Sequence, residues 1–317
     1  MATSTPPKGN AAPKGGAGNR DRSPKRPTTQ QSHARAVKAR QEQERKKRQR
    51  VVIAGIAGAV VLAVVVVLIA VKLTSPSKGT PVAAGGYVPE PAPGAVVDTL
   101  TGIPATSLAS SVSKYAKGLS SAPHAVNGIA PPGQTTKPQF FYMGANYCPY
   151  CAAERWAIVT ALSKFGTFTN LGQTTSSATD VDPSTPTFTF YQSTYSSPYI
   201  DFVSVEETTN QPSGNGYQIL QTPTAAQNQL ATANDPRGSI PFIYIAGKFL
   251  QTGSPYDPGV LAGKSMTEIS QAATDPTTKI GQAIQASAGT LVQGICAVTK
   301  NQPASVCSAF AGSASGG

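Results

Sequence analysis

The sequence predicts an α/β domain that follows a single transmembrane helix. Three patterns support this prediction: an uncharged apolar run over residues 51–71, an apolar strand with a Cys-x-x-Cys motif and a helix over 139–166, and a late strand hairpin that precedes a helical region. Strands that alternate with helices along one chain are typical of an α/β sheet.

The first 50 residues form a basic tail. They carry the whole formal net charge of +11 of the 317-residue chain, and the remaining residues sum to zero. The tail has almost no large apolar residue, so we expect residues 1–50 to be disordered at first and helical from about Ala34 onward. Because the charge lies outside the folded part and no nucleic-acid-binding motif is present, we expect no nucleic-acid partner.

Residues 51–71 predict one transmembrane helix. These 21 residues contain no charge and are mostly Val, Ala, Ile and Leu, and a helix of this length spans a bilayer core of about 30 Å. A signal peptide and a buried core helix are the alternatives, but both have shorter apolar segments. The basic cluster that ends at Arg50 places the N-terminus in the cytoplasm. We therefore expect a single-pass cell-membrane protein with an extracytoplasmic C-terminal domain, in a compartment where disulfides persist.

The Pro- and Gly-rich stretch over 72–96 predicts a linker between this helix and the folded domain. We expect the domain to cover residues 97–310 and residues 311–317 to be disordered. Near its start, residues 105–117 suit a short amphipathic helix that is closed by Gly118.

The first strong pattern of the domain is a strand, a cysteine motif and a helix. Residues 139–143 are apolar and aromatic between Pro138 and Gly144, which predicts a buried strand. From Ala152, apolar residues recur at spacings of one, three and four up to Gly166, which predicts a largely buried helix. The motif Cys148-Pro149-Tyr150-Cys151 therefore lies between a strand and a helix.

Further strands follow. Residues 187–192 and 199–206 are rich in Thr, Phe, Tyr, Val and Ile, and we expect them to be strands that pair as a hairpin. Residues 242–245 and 248–250 flank Ala246-Gly247, which predicts a second hairpin with a two-residue turn. Helical patterns then dominate over 258–299.

The position of the motif indicates thiol chemistry. The start of a helix has unpaired N–H groups and a positive dipole end, which lower the pKa of a thiol there and make it a nucleophile. We expect Cys148 to be the attacking thiolate and Cys151, one turn later, to resolve the mixed disulfide.

With this order of elements, the domain resembles the thioredoxin-like superfamily, in which a cis proline stands beside the active disulfide. Ser239-Ile240-Pro241 matches that position by its order in the chain. The resemblance implies that Pro241 is cis and that the Ile240 backbone pairs with an extended substrate peptide. An ordinary trans proline at the start of a strand is the alternative. The resemblance also implies that residues 174–199 are an insertion between the Cys-x-x-Cys helix and the strand after Pro241.

A narrower resemblance rests on the residues around the motif. Residues 146–156 and 161–168 look like a prokaryotic membrane-anchored family of unknown function with a Cys-Pro-Tyr-Cys motif, over roughly residues 97–307. This resemblance implies the same fold and brings no substrate.

Three other residues are candidates for a role. Cys296 and Cys307 suit a structural disulfide outside the cytoplasm, with a redox relay or a four-cysteine zinc site as alternatives. Glu154 lies in the first turns of the helix, where it either transfers protons during exchange or favours the helix N-terminus.

These patterns predict a thiol-disulfide oxidoreductase that acts on cysteine-containing exported proteins, with no metal and no cofactor. Superfamily analogy suggests a membrane quinone-linked disulfide oxidase of the vitamin K epoxide reductase type as electron partner. Two alternatives stay open. One is a thioredoxin-like scaffold that binds envelope proteins without turnover, and the other is a carrier that holds Cu(I) or zinc on its thiolates.

Overall fold

We describe residues 86–311 of the chain, in a computed structural model. The strands and helices, in chain order, are β1 Glu90–Pro91, α1 Gly94–Thr101, α2 Ala105–Tyr115, β2 His124–Ala125, β3 Gln139–Gly144, α3 Pro149–Leu162, β4 Thr167–Thr169, β5 Gly172–Thr175, β6 Pro186–Thr189, β7 Thr194–Ser196, β8 Asp201–Glu206, β9 Thr208–Ser213, β10 Gly216–Ile219, α4 Ala225–Asn234, β11 Phe242–Ile245, β12 Phe249–Thr252, α5 Met266–Thr274, α6 Lys279–Val298 and α7 Ala304–Cys307.

The main sheet has five strands in the order β2-β12-β11-β3-β8. Strand β3 pairs in parallel with β8, and the other neighbours are antiparallel. All six residues of β3 are buried, because both faces of the sheet are covered. Phe140 and Tyr142 belong to the larger core, which also includes residues of α3 and α6. Phe141 and Met143 point to the other face, into a smaller cluster with α4.

Helix α3 is buried on all sides except at Tyr150. It packs along α6, and the predicted insertion covers it from another direction. The Trp156 Nε1–H donates to the Pro186 carbonyl at 2.9 Å, and the Thr187 hydroxyl donates to the Ala152 carbonyl at 2.7 Å. The stretch over 174–199, for which the sequence suggested no role, thus buries the helix that carries the cysteine motif.

One predicted hairpin is wrong. Strand β6 pairs antiparallel with β5, whereas β8 joins the main sheet beside β3, so the two do not pair with each other. The Ser197 hydroxyl accepts hydrogen bonds from the backbone N–H groups of Tyr199 and Ile200 and donates to Phe165, which turns the chain into β8 instead of back along β6. The other predicted hairpin is present as β11 and β12, with positive φ at both turn residues, Ala246 and Gly247.

Folded structure begins before the predicted boundary at residue 97. Strand β1 pairs with β5, and α1 starts at Gly94 because Val96 and Leu100 bury their side chains in the larger core. Within residues 86–311, no helix is both long and apolar enough to cross a bilayer. The predictions for residues 1–50, 51–71, 72–85 and 312–317 lie outside the described part.

Candidate active site

The loop between β3 and α3 is held in place by backbone hydrogen bonds to two other segments. The Asn146 N–H donates to the Thr208 carbonyl at 2.9 Å, and the Ser177 N–H donates to the Tyr147 carbonyl at 2.8 Å. Tyr147 also stacks on Tyr217, with ring centroids 4.3 Å apart. The insertion and the β9–β10 hairpin therefore both hold the loop that leads into α3.

Cys148 is the N-cap residue of α3, and Pro149 occupies the first helical turn. The Cys148 sulfur accepts a hydrogen bond from the backbone N–H of Cys151 at 3.3 Å, so it takes the place of a capping side chain. Both cysteines are free thiols. Cys148 is 5% exposed and Cys151 is fully buried, so a substrate from solution reaches Cys148 first.

The two thiols differ in acidity. A hydrogen bond from the Cys151 side chain, the backbone N–H of Cys151 and the charge of Arg155 together lower the pKa of Cys148, against the opposing effect of burial. Burial raises the pKa of Cys151 well above its usual value, and the neighbouring Cys148 raises it further. The more exposed sulfur is thus the better nucleophile and the buried sulfur keeps its proton.

The loop before β11 lies against the Cys148 sulfur. The Ile240 carbonyl oxygen is 3.9 Å from Cys148 Sγ, and the Ile240–Pro241 peptide bond is cis. Within the described residues the Ile240 N–H donates no hydrogen bond, whereas the Pro241 carbonyl accepts one from Gly253. A cavity of about 180 Å³ opens beside Ile240, with Glu207 and Asp235 in its wall. The predicted residues Cys148, Ile240 and Pro241 therefore lie together.

A buried ion pair lies behind the cysteines. Arg155, one turn after Cys151, donates from Nε to Glu206 Oε1 at 2.9 Å and from Nη2 to Oε2 at 2.5 Å. Both side chains have no exposed surface. Burial alone lowers the pKa of Arg155, but the Glu206 carboxylate outweighs it, so the guanidinium stays charged. The pair places a fixed positive group near both sulfurs.

Glu154 faces the opposite direction, toward α6. The Ser287 hydroxyl donates to its two oxygens at 3.2 and 3.4 Å, and no cation lies beside it in the described residues. Burial raises the pKa of Glu154 to about 8, so the carboxyl is mostly neutral at pH 7 and carries little charge for the helix N-terminus. Hydrogen bonds with the Gln251 and Ser287 side chains lower the pKa of Glu154, but burial outweighs them. Proton transfer by Glu154 stays a prediction.

The second cysteine pair forms a disulfide. Cys296 near the end of α6 joins Cys307 in α7, with a sequence separation of 11. Both residues line a cavity of about 670 Å³ together with Phe249 and Phe310. None of the contacts of Cys148 or Cys151 involves this pair. Among residues 86–311, no three His, Cys, Asp or Glu side chains come together as a set of metal ligands.

Residues 130–233 match a family model described as a domain of unknown function, DUF929. The match includes both cysteines of the motif, Arg155 and Glu206, and it ends before Pro241. It is shorter than the stretch over 97–307 that the resemblance predicted. No curated protein and no solved structure matches the chain.

Sequence reasoning missed the polar groups behind the motif: Tyr142, Asn146 and Glu206. Two signals were present. Arg155 is a cation within a helix that is predicted to be largely buried, and Glu206 ends a strand. A buried charge requires a counter-charge, so these two residues were candidates for a pair.

Proposed function

We propose that this chain is a membrane-anchored thiol-disulfide oxidoreductase that exchanges disulfides with cysteine-containing exported proteins outside the cytoplasm. The observation that carries the proposal is the geometry of Cys148. Its sulfur caps the N-terminus of α3, accepts the Cys151 N–H at 3.3 Å, and lies beside the backbone of Ile240. A sulfur in that position is more acidic than an ordinary thiol, more exposed than Cys151, and next to a backbone segment that a peptide can bind.

The order of the elements supports a thioredoxin-like fold. Strand β3 leads through α3 to the parallel strand β8, and the antiparallel strands β11 and β12 follow on the other side of β3. The cysteine motif begins α3, the helix that follows β3, and the cis proline precedes β11. These are the relative positions that the resemblance implies for the active thiols and the cis proline, with the stretch over 174–199 as the insertion.

The proposed reaction consists of two exchanges. The Cys148 thiolate attacks a substrate disulfide R–S–S–R′, forms the Cys148–S–S–R bond and releases R′–S⁻. Cys151 then gives its proton to R′–S⁻, attacks the Cys148 sulfur, forms the internal disulfide and releases R–S⁻. The substrate gains two electrons and the Cys151 proton from the protein, R–S⁻ takes a proton from water, and the reverse sequence oxidises a substrate dithiol. In the oxidising direction, a quinone-linked membrane oxidase is the proposed electron acceptor.

A substrate peptide is proposed to bind across Ile240. The Ile240 N–H has no acceptor in the described residues, so it can donate to a carbonyl of an extended peptide. Tyr150, which is 44% exposed, and Tyr147 flank Cys148 and offer apolar contacts to the residues around the substrate cysteine.

The test uses the full-length protein in detergent. It is expected to catalyse insulin reduction by a dithiol, or the refolding of a reduced disulfide protein, and Cys148→Ser is expected to abolish both activities. A Cys296→Ser/Cys307→Ser double variant is the matched control, because it removes the other cysteine pair and is expected to keep the activity. Normal catalysis by Cys148→Ser would refute the proposal.

Two further measurements separate the alternatives. Mixed disulfides trapped in a Cys151→Ala variant identify the substrates, and a redox titration of the cysteine pair gives the direction of the reaction. A Cys148–Cys151 bond that resists exchange would instead indicate a scaffold. Stoichiometric Cu(I) or zinc that is lost in Cys151→Ser would indicate a metal carrier.

A further inference from the structure

Cys151 and Tyr142 border the same small space at the end of β3. A Cβ atom placed on Gly144 would stand 3.0 Å from the Cys151 sulfur, and still closer to the Tyr142 hydroxyl. A side chain at residue 144 would therefore displace the Tyr142 hydroxyl and crowd the Cys151 sulfur, so glycine keeps this space open to both groups.

Within residues 86–311, three buried donors at or near Tyr142 have no acceptor. They are the Tyr142 hydroxyl, Asn146 Nδ2 and Arg155 Nη1, and none of these residues has exposed surface. They form one cluster, because Arg155 Nη2 donates to Asn146 Oδ1 at 3.3 Å and the guanidinium carbon lies 5.8 Å from the centre of the Tyr142 ring. Buried donors are nearly always paired in folded proteins, so three unpaired ones in one place indicate an acceptor that forms later.

We propose that this acceptor is the Cys151 thiolate and that Tyr142 and Arg155 stabilise it when it attacks the mixed disulfide. The inference rests on the proposed function. In the resting protein Cys151 is a thiol, which needs no donor. During resolution Cys151 loses its proton to the departing thiolate R′–S⁻, and its anion attacks the Cys148 sulfur as R–S⁻ leaves. Donors that gain a partner only at this stage accelerate this step and leave the first exchange unchanged.

The charges around the cluster suit this role. Glu206 keeps Arg155 charged while leaving Nη1 free, and the Arg155 charge lowers the pKa of Cys151 against the effect of burial. A backbone hydrogen bond from Ala145 acts in the same direction. Burial raises the pKa of Tyr142 well above its usual value, so its hydroxyl keeps the proton that it donates.

Tyr142→Phe tests the proposal, because it removes one hydroxyl that has no partner in the resting protein. Tyr244→Phe is the matched control: Tyr244 is an equally buried tyrosine that belongs to the core on the other face of the sheet and donates to the Ile129 carbonyl. Full-length protein is mixed with glutathione disulfide, and mass spectrometry at successive times separates formation of the mixed disulfide from its resolution. We expect Tyr142→Phe to form the mixed disulfide at the wild-type rate and to resolve it about ten-fold more slowly at pH 7, with wild-type behaviour in Tyr244→Phe.

A titration that needs no turnover completes the test. In a Cys148→Ser background, Cys151 is the only free thiol, and its thiolate absorbs in the ultraviolet. We expect Tyr142→Phe to raise the midpoint of this titration by about one pH unit. A wild-type resolution rate together with an unshifted midpoint in Tyr142→Phe overturns the inference and leaves the proposed function standing. Failure of the wild-type protein to form any mixed disulfide overturns the proposed function, while the titration still decides the role of Tyr142.

Discussion

Replacing Glu154 with Gln should stabilise the protein increasingly as the pH rises. Glu154 is completely buried, no cation of residues 86–311 forms an ion pair with it, and its pKa is raised from 4.5 to about 8. A carboxyl whose pKa is raised by folding binds more protons in the folded state, so the free energy of unfolding falls as the pH rises from 4.5 to 8 and then levels off. From these two pKa values, the buried carboxyl costs about 1 kcal/mol at pH 5, about 3 kcal/mol at pH 7 and about 5 kcal/mol at pH 9.

Gln is a close substitute for the neutral form of Glu154 and cannot ionise. The variant should therefore match the wild type at pH 5 within about 1 kcal/mol and exceed it by several kcal/mol at pH 9. Urea unfolding of the full-length protein in detergent measures the difference, with fluorescence from Trp156, the only tryptophan and a fully buried one. The variant and the wild type are compared at each pH, so the contributions of the other titrating groups to the free energy of unfolding cancel. A constant difference between pH 5 and 9 would show that Glu154 is not an uncompensated buried acid.

Four further predictions concern other contacts in the domain. Glu206→Gln should lower the free energy of unfolding by about 3–5 kcal/mol, because it leaves the Arg155 charge buried and uncompensated. Asp201→Asn breaks the partly exposed pair with Lys137 and should lower the free energy of unfolding by less than about 1 kcal/mol. Equal losses of stability in Glu206→Gln and Asp201→Asn, measured by urea unfolding, would contradict this reasoning. Gly144→Ala should slow the resolution of the mixed disulfide, because the new Cβ displaces the Tyr142 hydroxyl; unchanged kinetics would argue against the shared space. Loss of the Cys296–Cys307 disulfide should cost about 3 kcal/mol in urea, and loss of thiol exchange in the folded double variant would instead indicate a redox relay.

The local elements around the motif were predictable because their signals are short-range. The apolar run before Gly144, the cysteine spacing and the apolar periodicity after Ala152 each lie within one element, and the structure has β3 and α3 there. The hairpin at Ala246-Gly247 was equally predictable, because two turn residues determine which strands pair.

Pairing over longer distances was not predictable in the same way. The composition of residues 199–206 predicts a strand but does not determine which strand it pairs with. The hairpin prediction therefore paired it with the nearest strand along the chain, which was wrong. The Arg155–Glu206 pair joins residues 51 positions apart, and it exists only because β8 runs parallel to β3 with Glu206 opposite Gly144. The polar cluster behind Cys151 is therefore a consequence of sheet topology.

Glu154 and Arg155 are consecutive buried ionisable residues, but they face different groups and have different effects on the cysteines. Arg155 faces Glu206 and the sulfurs, and its charge contributes to the pKa of both cysteines. Glu154 faces Ser287 and Gln251, and neither cysteine is among the groups that shift its pKa.

We therefore expect Glu154→Gln to change the stability of the protein and to leave both steps of exchange with glutathione disulfide within about two-fold of wild type. Tyr142→Phe should slow the resolution step and leave the stability unchanged. A Glu154→Gln/Tyr142→Phe double variant should show the stability change of the first substitution and the slower resolution of the second. A ten-fold slower resolution step in Glu154→Gln, measured at the pH where its stability equals that of the wild type, would instead assign proton transfer from Cys151 to Glu154, because Gln replaces the neutral carboxyl but cannot take up a proton.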